Sequence, residues 1–347
     1  MVNVTIKDIA KRCNVGVSTV SRAINNHPDI NVETKEMIMK VIKELNYVPN
    51  NSARFLGTSY ANAIAVLVKG VGNTFFGELI SILENECKEV KYSCIIQYIN
   101  ANEDEFDAAI RIAKEKRLKG IIFLGGSFAH PKEKLQQLEI PYVLSTVHSL
   151  DKDLASISVD DEEESYRMTE YLIELGHKRI AIITGPEEDT SISKLRLMGY
   201  QEALEKHQIT LDEDLVCFMD INDDQYSFES GYKLTKKLLE KTDFTALYAA
   251  SDALAIGACR ALKESGISVP EECSVAGFDG IEAGKYNIPS ITTIAQPIEK
   301  IAKASTRLLF EMIEGESKPH QILFKGELLK RESTHNIGGN DYGKQNK

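Results

Sequence analysis

No run of about 18 apolar residues occurs in this 347-residue chain, so it offers no helix able to span a bilayer. Its amino terminus, MVNVTIKDIAKRC, lacks the apolar stretch and small-residue cleavage site of a secretory signal. The six cysteines (Cys13, Cys87, Cys94, Cys217, Cys259, Cys273) form no C-x-x-C pair, which removes the usual zinc and redox spacings. They read as small buried hydrophobes in a reducing compartment, so the expected location is the cytoplasm, with no membrane partner. Catalytic and nucleotide signatures are missing as well. No G-x-G-x-x-G follows a strand, since GIIFLGGS has the wrong spacing, and there is no G-x-x-x-x-G-K-[ST], H-x-x-x-H or G-x-S-x-G. The seven histidines are dispersed, and clusters such as DDEEES look like solvated helix starts rather than acid/base pairs. The expectation is a protein without enzymatic chemistry, cofactor or metal.

What is present is ordinary globular material, 43% apolar and 27% charged, in a length that suits two or three compact units. The charge is unevenly spread. Residues 1–60 hold eight Lys/Arg against five Asp/Glu, net +3, and the remainder holds 33 against 47, net −14. A basic head on an acidic body points to an anionic partner for the head alone.

Thr5 followed by Asp8 has the form of a capping box opening a helix from about Ile6 to Cys13, with Ile6, Ile9 and Ala10 on one face. Asn14 and Gly16 then tolerate the positive φ of a tight turn. A second helix over about Val17 to Ile24 turns Val20, Ala23 and Ile24 inward, leaving Val17, Ser18, Ser21, Arg22 and Asn25 outward. A third follows Asn31, a good N-cap, with Met37, Ile38, Val41, Ile42 and Leu45 as its apolar stripe. Three helices with a tight first turn describe a helix-turn-helix unit whose second helix enters the major groove. Arg22 can then pair bidentately with guanine O6/N7, and Thr19 and Ser21 are short donors suited to phosphates. The alternative is a small protein-binding bundle.

Next comes YVPNNSARFLGTSY, residues 47–60. Pro49 bars helix before it, Asn50 can cap a new one and Gly57 ends it. So short a segment is marginal as an isolated helix and should order only when something packs on it. Ala53 and Leu56 share one face, Ala53 permitting close approach and Leu56 projecting as an apolar tip able to pry open a minor-groove base step. A plain interdomain linker is the competing reading.

The pattern VTIKDIAKRCNVGVSTVSRAIN, followed by L-N-Y-V-P-N and A-R-x-L, resembles the LacI/GalR (lactose/galactose repressor) family of bacterial transcription regulators. The likeness is strongest over the first 60 residues and runs more loosely to about residue 335. It implies that Val17, Ser18 and Arg22 read bases, that Leu56 is the minor-groove leucine of a hinge helix, and that a dimer binds a pseudo-palindromic operator. Thr5, Thr19, Ser21, Asn25, Asn50 and Ala53 complete the expected DNA-facing set. Two residues depart from the family: Asn14 replaces its usual Gly, and Gly16 its usual capping Ser.

Beyond residue 60 short β-rich runs, such as 63–68, 94–98, 120–125, 142–145, 179–184, 215–219, 246–250 and 273–279, alternate with helical stretches. That rhythm predicts doubly wound parallel sheets. It restarts after about residue 160, giving two lobes with a cleft between them at the carboxyl ends of the strands. The expected fold is therefore α/β: a helix-turn-helix head over 1–49, a hinge helix and linker over 50–60, and two lobes like those of periplasmic binding proteins over 61–338. The first lobe takes about 61–160 and 292–325, the second about 161–291 and 326–338. Residues 339–347 form a polar tail without heptads, which favours a homodimer over a coiled-coil tetramer.

The resemblance also implies effector contacts. Arg196, in SKLRLMGY, matches the family's effector arginine, whose fork suits vicinal sugar hydroxyls; otherwise it is a solvent-facing helix arginine. Asp279, in VAGFDG, matches an effector carboxylate; otherwise it is a turn aspartate. Ser251 stands where many relatives have Asn, and Tyr226 matches an aromatic that stacks on a sugar ring. Phe76 either closes the opposite wall or packs in the core, and Gln296 lies at an expected lobe crossover. No basic cluster for a phosphate accompanies them, which favours a neutral carbohydrate. The implied function is a repressor whose operator affinity is controlled by that ligand. Its alternatives are a regulator with a phosphocarrier protein as co-repressor, an extracytoplasmic sugar-binding protein, and a sugar-processing enzyme.

Overall fold

The computed structural model describes residues 6–24, 27, 30–45, 62–70, 74–100, 103–127, 134, 137–149, 151–187, 190, 192–220 and 226–338. The chain divides into two units, Met1–Ser59 and Tyr60–Lys347.

The first unit contains α1 (Ile6–Arg12), α2 (Val17–Ile24) and α3 (Val32–Glu44). Ile9, Ala10 and Cys13 pack on Val20, Ala23 and Ile38 in a small core, with Val41, Ile42 and Leu45 against it. The stripe on α3 is thus 38, 41, 42 and 45, a spacing of 0, 3, 4 and 7. Met37, expected on that stripe, sits about 100° round the helix from Ile38 and is 42% exposed. Asn31 caps α3 as its side chain suggests, its Oδ1 accepting the Glu33 N–H at 2.8 Å. Asn14 takes the left-handed turn between α1 and α2, with φ 52°.

The second unit holds two sheets. Strands β1 (Ala63–Lys69), β2 (Ser93–Ile99), β3 (Gly120–Leu124), β4 (Tyr142–Ser145), β5 (Ser156–Val159) and β11 (Gln321–Phe324) form one, in the order β11-β5-β4-β3-β1-β2. Strands β6 (Ile180–Thr184), β7 (Val216–Phe218), β8 (Ala246–Ala249), β9 (Ser274–Asp279), β10 (Thr292–Ala295) and β12 (Glu327–Leu329) form the other, in the order β12-β10-β9-β8-β6-β7. Every pairing is parallel except β10–β12. Helices α4 (Phe75–Glu89), α5 (Glu105–Lys116) and α11 (Ile298–Glu314) belong to the first lobe. Helices α6 (Asp161–Glu174), α7 (Ile192–Lys206), α8 (Phe228–Lys241), α9 (Asp252–Glu264) and α10 (Glu282–Tyr286) belong to the second. The inner strands are apolar on both sides because helices cover both faces; β3, β6 and β8 are buried throughout.

The chain passes between lobes three times: after β5, after β10 and between β11 and β12. The return expected at about residue 292 comes a few residues later, because Thr292–Ala295 still pair with β9 and β12. Close helix contact matters at Gly199, where a Cβ would lie 2.0 Å from the Glu162 carbonyl oxygen. That approach draws α7 onto α6, and with it the residue one turn earlier, Arg196. Among the described residues no helix is long and apolar enough to cross a membrane.

Candidate functional site

On α2 the inward side is settled by Val20 and Ala23, both fully buried. The outward side presents Val17, Ser18 and Arg22 to solvent, with Thr19 and Ser21 half-buried at its flanks. Thr19 and Ser21 are therefore less accessible than a fully outward pair. Gly16 precedes the helix, where a capping side chain would stand. An exposed arginine fork on a short helix has the donor geometry that guanine presents acceptors for in the major groove. Thr5, Asn25, Asn50, Ala53 and Leu56 lie outside the described residues.

In the body, the carboxyl end of the second sheet holds a buried cluster of charge. Arg196 is 1% exposed, which excludes the solvent-facing alternative. Its Nε donates to Asp161 Oδ1 at 2.9 Å, and its Nη1 donates to the Ala250 carbonyl at 2.5 Å and lies 3.4 Å from Asp279 Oδ1. The guanidinium carbon stacks 3.6 Å above the Phe278 ring. Gln296 Nε2 donates to Asp279 Oδ1 at 2.9 Å, from the crossover that follows β10. The structure thus joins Arg196, Asp279 and Gln296, three of the six residues the sequence singled out.

The other three sit differently. Ser251 is fully buried, but its hydroxyl caps α9 by accepting the Leu254 N–H at 3.3 Å. Its neighbour Ala250 supplies the contact to Arg196 through a carbonyl instead. Tyr226 stands at the end of β6: a Cβ on Gly185 would lie 2.7 Å from its hydroxyl and 2.2 Å from Ser193 Oγ. Phe76 is 6% exposed in the first lobe's core, its ring against Gly125 at the end of β3.

Two carboxylates were missed. The run DDEEES predicts a solvated acidic helix start for Asp161, yet it is 1% exposed. Asp160 takes the capping role, accepting the Glu163 N–H. Asp161 then falls with Glu164, Ser165, Met168, Thr169 and Leu172 on the buried face of α6. That 0, 3, 4, 7, 8, 11 spacing was the signal available in the sequence. Asp252 is fully buried; its Oδ2 accepts the N–H groups of Gly280 and Ile281 at 2.8 and 2.9 Å.

The electrostatics follow from burial. Desolvation alone would pull the Arg196 pKa down, but Asp161 and Asp279 outweigh it and hold the guanidinium charged. Burial raises the Asp161 carboxyl despite the attraction of Arg196. It raises Asp279 to about 6, against Arg196 and Gln296. Burial and the charge of Asp279 raise Asp252 to about 8. Asp279 also takes φ 109°, a backbone region that costs a non-glycine residue on the order of 1–3 kcal/mol. Asp161 Oδ2 and Asp279 Oδ2 are buried without a hydrogen-bond partner among the described residues. Such atoms are costly unless a ligand supplies the missing donors.

These features define a class: a helix-turn-helix head on a two-lobed α/β body with a polar, charged cluster at the carboxyl ends of its strands. Residues 5–50 match the family model for bacterial regulatory proteins, lacI family, and residues 169–334 match that for a periplasmic binding protein-like domain. The HTH-type transcriptional regulator MalR of Clostridium butyricum is 40% identical over 339 residues, 96% of this chain and 99% of that protein. The catabolite control protein A of Priestia megaterium is 28% identical, covering 93% of this chain and 98% of that protein. A solved transcriptional regulator CelR–cellobiose complex aligns over 95% of this chain and 99% of its own, at 27% identity and a TM-score of 0.69. The lac repressor dimer bound to operator and the anti-inducer ONPF aligns over 96% and 99%, at 26% identity and a TM-score of 0.70. The chain belongs to the lacI family of bacterial regulatory proteins. It is a DNA-binding transcriptional regulator, and its relatives are regulators rather than enzymes.

Proposed function

We propose that this regulator is a repressor, that its effector is a neutral carbohydrate, and that Arg196, Asp161, Asp279 and Gln296 hold it. One observation carries this reading: the fully buried Arg196 lies between two carboxylates that each leave one oxygen unpaired. Sugar hydroxyls are donors that satisfy such oxygens, and the guanidinium and the Gln296 amide serve their lone pairs. A phosphate, by contrast, would meet two carboxylates already facing the one guanidinium. The solved cellobiose complex of CelR supports the ligand class. Tyr226 and Phe76 stand back as candidate walls at the ends of β6 and β3.

The protein acts as a homodimer on a pseudo-palindromic operator, in the cytoplasm where that DNA is. Tyr286 and Ile288, 69% and 93% exposed on the second lobe, are apolar side chains that such a partner would cover. In the head, Arg22, Val17 and Ser18 read bases.

A thermal-shift screen of the full-length protein against neutral sugars tests the proposal. A sugar at a hundred times its Kd stabilises the folded state by about 2.7 kcal/mol. Arg196→Lys, which keeps the charge but loses the fork, should abolish that shift. Stabilisation by phosphorylated sugars alone, or an unaltered shift in Arg196→Lys, would refute the assigned pocket.

A further inference from the structure

We propose that Asp252 is a positioning residue of the effector site. It touches no ligand itself; it ties down the turn that aims Asp279. This rests on the reading that the Arg196–Asp279 cluster is where the effector binds.

Asp279 ends β9 in a backbone conformation, φ 109°, that L side chains rarely adopt, and Gly280 follows at φ 80°. Two consecutive residues at positive φ form a turn that an aspartate does not hold by local preference. Its side chain is gripped from one direction, by Gln296 at 2.9 Å and Arg196 at 3.4 Å. Its backbone needs a separate anchor, and the next two N–H groups supply the handle. Both point at one oxygen, Asp252 Oδ2, at 2.8 Å from Gly280 and 2.9 Å from Ile281.

Asp252 is built for this task. It is the first residue of α9, where the Ser251 cap leaves its side chain free to reach across to the neighbouring strand. Its carboxylate is fully buried. A polar group is retained in such a place only where it makes bonds that an aliphatic side chain cannot. The neighbouring strand is shaped around it, for a Cβ on Gly277 would lie 2.2 Å from Asp252 Oδ1. The strand β9 therefore carries a glycine where the carboxylate lies against it. Two residues later it carries the aspartate that the carboxylate positions. Asparagine can reproduce the anchor, because its single carbonyl oxygen can take both N–H groups as Oδ2 does. Alanine cannot.

Residue-resolved amide hydrogen exchange on the ligand-free, full-length protein tests this without any effector. In Asp252→Ala the Gly280 and Ile281 amides should exchange at least a hundredfold faster, while the amides of β6 and β8 keep their protection. In Asp252→Asn both should stay within a few-fold of the unsubstituted protein. Gly277→Ala displaces the carboxylate from its other side and should produce the same local loss, which keeps the test open if the alanine variant does not fold. Unchanged protection of Gly280 and Ile281 in the folded Ala variants, or equal loss in Asn and Ala, overturns the proposal. A second arm uses cellobiose and ribose as probes. Whichever binds the unsubstituted protein should bind Asp252→Ala at least tenfold more weakly and Asp252→Asn with most affinity kept. If exchange changes as expected while neither sugar binds the unsubstituted protein, the anchor stands and the carbohydrate reading fails.

Discussion

At the scale of single residues, two buried carboxylates share one guanidinium and a third, Asp252, feels the charge of Asp279, and proton linkage follows. The folded-state pKa of Asp279 is raised to about 6 and that of Asp252 to about 8, mainly by burial. Unfolded aspartates titrate near 3.9. Between those values the folded chain keeps protons that the unfolded chain has released. The contribution of these groups to stability is therefore fully present below about pH 4 and declines as pH rises toward 8. Charged neighbours facing them are Arg196 and Asp161 around Asp279, with Arg331 beside Gly284 near Asp252. Asp252→Asn should flatten the pH dependence of urea-measured stability between about pH 4 and 8; an unchanged slope would show that Asp252 does not titrate there. Arg196→Ala leaves two buried carboxylates without their cation. It should cost about 3–5 kcal/mol near pH 8, and less near pH 6, where Asp279 takes up a proton; an equal loss at both pH values would contradict this.

At the scale of elements, α2 offers two separate levers. Gly16 stands at its start with room for a side chain, the nearest atoms to a Cβ being Ser18 Oγ at 3.4 Å and Thr19 Oγ1 at 3.7 Å. Gly16→Ser should raise stability by a few tenths of a kcal/mol through the cap it adds. Chemical denaturation followed on the head's helical signal checks this, and a loss would mean the hydroxyl cannot reach the N–H groups of α2. Arg22→Ala should cost about 1–3 kcal/mol of specific DNA binding and relax preference at one base pair. Arg22→Lys should not restore it, as a point charge lacks the fork; a uniform loss across all sequences would reassign Arg22 to a phosphate. Elements of this kind were legible wherever periodicity and caps agreed, as with α2, Asn31 before α3, and the apolar runs of β1, β3, β6 and β8. Short strands were harder: β10 and β12 have four and three residues, too few for a pattern of period two to stand out. Helix α9 shows little periodicity in its sequence, DALAIGACRALKE, because its small residues are buried nearly all round. The site was half legible for a related reason. Arg196 and Asp279 carry family resemblance, but Asp161 and Asp252 act through burial, which only spacing along α6 or the packing of α9 on β9 reveals.

At the scale of the whole molecule, the head and the body carry opposite net charge, and the sequence between them, residues 50–60, has a length at which an isolated helix is expected to be marginal. A coupling between effector and DNA that passes through such a segment is a free energy, typically about 1–3 kcal/mol, and it is reciprocal. Effector should therefore change operator affinity by about 5- to 150-fold, and operator DNA must change effector affinity by the same factor. Leu56 tests where that energy resides. If its side chain wedges into the minor groove, Leu56→Ala removes contacts made only when the joining segment is ordered on DNA. Operator affinity should fall, while effector affinity measured without DNA stays as before. The effect of operator on effector binding should shrink with it, if the coupling passes through that segment. Fluorescence anisotropy of labelled operator and calorimetry of the effector, each with and without the other ligand, supply the four numbers. A Leu56→Ala variant that binds operator weakly yet keeps the full reciprocal factor would move the coupling out of this segment and into the head or the dimer.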